Sequence, residues 1–169
     1  MSFLHSHIEL RDTGDPHLGR GLFAREAIRK DEIVFRNDGV VIGNGSLARI
    51  PTEMLLHWCY DADDMNTFCP SDFKDPSPDW WFNHSCDSNA GAGRDLGTMV
   101  AMRDIAANES ISIDYVMINS SPPADWEMEC FCGTSNCRKV ITANDWMIPG
   151  LQEKYRGYFW KNIQKKLMH

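Results

Sequence analysis

Short stretches of alternating apolar and polar residues run through most of the chain and predict strands rather than long helices. His7–Arg11 reads as one strand. Ala24 to Phe35, with β-branched residues on both sides of the charged Arg29-Lys30-Asp31-Glu32, predicts two strands around a tight connection. The same spacing returns 77 residues later, where Ala101, Ile105, Glu109 and Ile111 match Ala24, Ile28, Glu32 and Val34. Val40-Val41-Ile42 reads as a strand end. Pro51-Thr52-Glu53 opens a predicted helix through Trp58, with proline and an acidic residue in its first turn. The acidic stretch from Tyr60 to Pro78, interrupted by Pro70 and Pro76, reads as loop, and Ser120-Ser121-Pro122-Pro123 as a linker. From about Gly150, Leu151, Tyr155, Tyr158, Phe159, Ile163 and Leu167 fall at helical spacing with Lys and Arg between them. That pattern predicts one amphipathic helix docked on the domain.

Composition narrows the class. A chain of 169 residues with 43% hydrophobic residues suits one globular domain. No apolar run approaches the ~20 residues that cross a bilayer, and no membrane partner is expected. The first residues lack a basic region followed by an apolar core, so an intracellular, cytoplasmic location is expected. The net charge of −7 is uneven: residues 151–169 hold five Lys/Arg and one Glu, a local +4 that leaves −11 to the rest. Such a surface disfavours direct nucleic-acid binding and favours a basic protein or peptide partner. A Gly-x-Gly-x-x-Gly between strand and helix is missing, which argues against a Rossmann sheet.

Three of the six cysteines lie together as Cys130-x-Cys132-x4-Cys137, a density that suits tetrahedral thiolate coordination of zinc better than spaced disulfides. A closed structural site needs a fourth ligand, which Cys59, Cys69 or Cys86 could provide. Cys59 and Cys69 otherwise read as ordinary thiols. Gly19-x-Gly21, taken alone, reads as a turn.

Four pieces in order change the weight of each: Gly19-Arg20-Gly21-Leu22-Phe23-Ala24, then Trp80-Trp81-Phe82-Asn83-His84-Ser85-Cys86-Asp87-Ser88-Asn89, then Glu109-Ser110-Ile111-Ser112-Ile113-Asp114-Tyr115, then the cysteine cluster. Together they resemble the SET-domain protein-lysine methyltransferases that carry a post-SET zinc motif, in the small stand-alone form found in bacteria. The resemblance covers roughly residues 7–140. It implies a mainly β (α+β) SET fold of several small sheets with a knot-like crossing, a zinc-bound post-SET loop and a C-terminal helix. It divides the chain into a SET domain (1–119), a post-SET zinc segment (120–143) and the helix (144–169).

By the same resemblance Tyr115 is the catalytic tyrosine. Gly19, Arg20, Gly21, Leu22, Asn83, His84 and Phe131 would bind S-adenosylmethionine. Ile113, Trp81 and Tyr60 would line the substrate channel, and Cys86 would join Cys130, Cys132 and Cys137 around a structural Zn2+. Trp80 and Ser88 stand where the family carries arginine and proline. Ile113 stands where it carries Phe or Tyr, which points to more than monomethylation. The activity implied is methyl transfer to the ε-amine of lysine in a protein. A catalytically weak SET-like binding module, or a methyltransferase for a non-lysine or small-amine acceptor, stays open as an alternative.

Overall fold

The computed structural model describes residues 2–50, 60–61, 65–69, 78–118 and 125–168. Strands β2 (Ile8–Asp12) and β4 (Ile33–Arg36) form where the alternation placed them, while β1 (Phe3–Leu4) and β3 (Arg20–Ala24) were not expected, β3 occupying the Gly-x-Gly stretch that reads as a turn. They share one sheet with β8 (Asn83–His84), β9 (Ala90–Ala92), β10 (Thr98–Ala101) and β11 (Ser110–Ile113), in the order β1-β4-β10-β9-β11-β3-β2, with β8 paired to β11. β11 is the hinge of this arrangement. It runs antiparallel to β3 on one side, and parallel to β8 and β9 on the other. The mainly β character with several sheets matches the expected fold class.

The two look-alike segments meet each other. Ile28 and Ile105 exchange backbone hydrogen bonds of 2.9 and 2.8 Å. Around them the bonds repeat in pairs: Ala24 N–H to Glu109 O and Ala101 N–H to Glu32 O, both 2.9 Å, then Asp31 N–H to Ala101 O and Asn108 N–H to Ala24 O. Asp31 and Asn108 hold positive φ angles of 69° and 68° in matching turns. The 77-residue spacing is thus a local two-fold relation about the Ile28–Ile105 bridge. All of Ala24, Ile28, Ala101 and Ile105 are buried in the main core.

Three expectations are corrected. First, the stretch after Tyr60 contains strand: β6 (Tyr60–Asp61) and β7 (Asn66–Cys69) form a three-stranded sheet with β5 (Val40–Gly43), in the order β5-β7-β6. The prolines flank β7 rather than interrupt it, and Thr67, Phe68 and Cys69 are buried. Second, Cys69 is disulfide-bonded rather than a lone thiol. Third, the C-terminal segment is two short helices, α1 (Pro149–Lys154) and α2 (Lys161–Leu167), not one. Gly157 turns the chain at φ 87°, and the backbone between the helices bonds to the domain instead of continuing the helical ladder: Ala92 N–H donates to Tyr158 O, and Trp160 N–H to Met117 O, each 3.0 Å. Tyr155, Phe159, Trp160 and Ile163 enter the main core, each contributing about 1.5–3 kcal/mol of apolar burial. The predicted 51–58 helix and 120–123 linker lie outside the described residues.

Candidate active site and thiolate cluster

The β2–β3 hairpin closes through a loop held by Thr13, whose N–H and hydroxyl both donate to Gly19 O at 2.8 and 2.7 Å. Gly19 takes φ 59°, which a side chain disfavours. Space next to it is open, with nothing within 4 Å of where a Cβ would sit. Gly21 has the opposite surroundings: a Cβ there would stand 2.6 Å from Asn83 Nδ2. The missing side chain lets the Asn83 amide reach in and donate to Arg20 O at 3.1 Å. Arg20 in turn lies over the Trp81 ring, 5.2 Å from its centroid. Leu22 is buried in the core.

Pairing of β8 with β11 brings His84 beside Ile113 and sets the His84 ring next to Tyr115. The Tyr115 N–H donates to His84 Nδ1 at 3.2 Å, which leaves the Nε2 proton facing Cys86 Sγ at 3.4 Å. Burial holds His84 neutral, lowering its pKa to about 4; Arg138 pushes the same way, and the nearby carboxylates of Asp114 and Asp145 oppose it. The Tyr115 hydroxyl donates to Phe82 O at 3.0 Å. Burial pushes this phenol up to about 12, so it stays protonated through the neutral range. Ile113 is packed in the core at 2% exposure, and Trp81 is half-buried against the same core. The Tyr60 backbone belongs to the separate three-stranded sheet.

Asn89 performs a job that its sequence context did not announce. Buried, its amide donates to Ser110 O at 2.8 Å and Glu109 Oε1 at 2.9 Å, and it accepts from Ser112 N–H at 3.0 Å. The side chain thus serves as a strand partner for β11 where the chain crosses it.

Further along the chain, β12 (Glu127–Glu129) and β13 (Val140–Thr142) form an antiparallel hairpin, and its loop carries Cys130, Cys132 and Cys137. Gly133 makes the turn at φ 68°. Cys86 comes from the crossing between β8 and β9, and all four Sγ atoms lie within 4.8 Å of one another. Cys86 and Cys130 are 3.8 Å apart, matching the roughly 3.8 Å edge of a tetrahedron with ~2.3 Å Zn–S bonds. Burial pushes the thiols of Cys86 and Cys130 up. At Cys132 burial is outweighed by hydrogen bonds, chiefly from the Thr134 hydroxyl, and the thiol falls to about 6. Four soft sulfur donors in a closed, part-buried cluster fit zinc.

Cys86 is also where the tail is fastened. Its carbonyl accepts from Asn136 Nδ2, Lys154 Nζ and the Tyr155 hydroxyl at 3.1, 2.8 and 3.2 Å, and its sulfur from Arg138 N–H at 3.3 Å. Phe131 stays 39% exposed and stacks on His17, with centroids 4.0 Å apart and planes 10° from parallel. Its ring thus packs against the loop between β2 and β3, at His17.

A SET domain family model matches residues 19–116, more than half of the chain. The protein belongs to the SET-domain family. Among solved structures, 217 chains match this SET domain. One is the crystal structure of KRYPTONITE in complex with mCHG DNA and SAH, at TM-score 0.56 and 20% identity. The alignment covers 81% of this chain and 29% of that one, so this SET domain spans under a third of KRYPTONITE's length. At that identity the likeness is one of fold. No curated protein matches the sequence.

Proposed function

We propose that this SET domain transfers a methyl group from S-adenosylmethionine to the ε-amine of lysine in a basic protein substrate. The observation that carries the reading is the anchoring of Tyr115 to Phe82 O and His84 Nδ1, beside the Asn83–Gly21 contact. The family and the SAH carried by the KRYPTONITE structure support the same donor. The residues fit such a cofactor: the open backbone at Gly19, the fixed Asn83 amide and the half-exposed Phe131 ring combine polar and aromatic contacts in one region.

When bound, the donor supplies an electrophilic methyl on a sulfonium. The chain needs no nucleophile of its own. Its task is to hold a neutral amine in line, which for lysine near neutral pH means offsetting about 4 kcal/mol of protonation. Because the Tyr115 hydroxyl commits its proton to Phe82 O, its oxygen lone pairs remain to accept from a polarised C–H or an amine N–H. A tyrosine raised to about 12 orients and stabilises charge rather than taking a proton. His84, neutral and buried, fixes the backbone of Tyr115. Cys86, Cys130, Cys132 and Cys137 would hold zinc, whose thiolate bonds would tie the post-SET loop to the core.

The test is to incubate the zinc-loaded protein with isotopically methyl-labelled S-adenosylmethionine and lysine-rich peptides, beside Tyr115→Phe, and locate label by mass spectrometry. Methyl-lysine that vanishes in the variant is the expected result. Cofactor binding without transfer to any peptide would move the reading to a binding module, and label on another amine to a different acceptor.

A further inference from the structure

The post-SET hairpin carries one charged side chain deep into the domain. Arg138 follows Cys137, and its guanidinium is 15% exposed. Nη1 and Nη2 donate to Asp114 Oδ2 and Oδ1 at 2.7 and 2.8 Å, a bidentate pair with a carboxylate at 0% exposure. Nε stands 2.8 Å from Asp145 Oδ2, off the N–H line, so this second contact is ionic rather than a hydrogen bond. The guanidinium is thus held between two carboxylates, one before Tyr115 and one before α1.

Asp114 is committed elsewhere as well. Its Oδ1 accepts from Val116 N–H at 3.2 Å and so starts the 3₁₀ turn Tyr115–Met117. The same oxygen lies 3.6 Å from His84 Nδ1, the atom that accepts from Tyr115 N–H. The Tyr115 N–H bond and the cap of its turn therefore run through His84 and Asp114. Without a cation at Asp114, a fully buried carboxylate would be left beside the His84 ring, and breaking such a pair by removing one partner is strongly unfavourable. Protonation of Asp114 or its rotation away from His84 would relieve that charge, and rotation would release the Val116 cap and the turn that begins at Tyr115.

The geometry points to Arg138 as a positioning residue for Tyr115, acting through Asp114, so that closure of the cysteine loop and alignment of the phenol are one event. This rests on the proposed methyl transfer only for its catalytic consequence. Lysine at 138 keeps the charge but loses the planar fork that engages both oxygens of Asp114.

The test uses the zinc-loaded full chain with fluorotyrosine incorporated, the Tyr115 resonance being assigned from Tyr115→Phe. In Arg138→Lys we expect zinc content to be retained, the Tyr115 fluorine resonance to shift or broaden, and the Tyr158 resonance to stay. With the methyl-transfer assay we expect kcat to fall more than tenfold with KM for S-adenosylmethionine within threefold. Asp145→Asn, which keeps the Asp114 pair, covers the case in which Arg138→Lys does not fold; the same changes at smaller size are expected. A zinc-replete Arg138→Lys or Asp145→Asn protein with an unmoved Tyr115 resonance would overturn the inference. A moved resonance in a protein whose wild type transfers no methyl would uphold the positioning role and remove the activity instead.

Discussion

Tyr115 and Phe82 are joined by a 3.0 Å hydrogen bond from phenol to carbonyl, across the parallel pairing of β8 and β11. This fixes the direction of the hydroxyl before any ligand arrives. Replacing Tyr115 by Phe keeps the ring packing and deletes the bond. We expect methyl transfer to fall by roughly 100-fold or more, and stability to fall by about 1–2 kcal/mol. Affinity for S-adenosylmethionine should change less than threefold. Single-turnover kinetics with calorimetric binding separates these terms.

The Gly21–Asn83 contact gives a second outcome. In Gly21→Ala the new methyl displaces the Asn83 amide from Arg20 O. The displaced atom ends a side chain that can rotate, so the expected thermal destabilisation is modest, on the order of 1 kcal/mol. Cofactor affinity should fall about tenfold or more, because the fixed amide is lost. Gly45→Ala, where the added carbon meets nothing within 4 Å, should leave both unchanged.

Zinc uptake should carry a proton signature. Cys86 and Cys130, whose thiols are pushed up by burial, are protonated at neutral pH and must release protons to bind metal. Zinc affinity is therefore expected to fall as pH falls, and the binding enthalpy to vary with the ionisation heat of the buffer. Cys86→Ser should lower affinity more than 100-fold and expose residues 125–168 to limited proteolysis.

Alkaline stability follows from two phenols. Burial raises Tyr115 to about 12 and raises Tyr155 too, with Asp114 adding to the second. Each contribution is fully present below the unfolded value near 10 and is lost as pH climbs towards the folded one. Stability should therefore drop by about 1.4 kcal/mol per pH unit for each phenol across that window. In denaturant titrations the gap between wild type and Tyr115→Phe should narrow above about pH 10, with the variant showing the shallower fall.

Strands β2 and β4 and the cysteine loop were legible because each is written in neighbouring residues: alternation for Ile8–Asp12 and Ile33–Arg36, Cys-x-Cys-x4-Cys for the loop. The link from Cys86 to that loop needed the family resemblance, since 44 residues separate Cys86 from Cys130. Arg138, Asp114 and Asp145 stayed hidden because a charged residue reads as surface until its partner is known. The break at Gly157 was missed for a related reason. The apolar spacing from Leu151 to Leu167 is helical, but backbone bonds from Ala92 and to Met117 capture the segment in between. The buried strand Asn66–Cys69 was obscured by its acidic, proline-rich flanks.

The bridge at Ile28 and Ile105 has a consequence for assembly. Two turns that offer each other the same donors and acceptors are self-complementary, so the segment 24–34 of one molecule presents the backbone groups that the segment 101–111 of another needs. At high protein concentration this seam is where segments of two copies would meet with matching donors and acceptors.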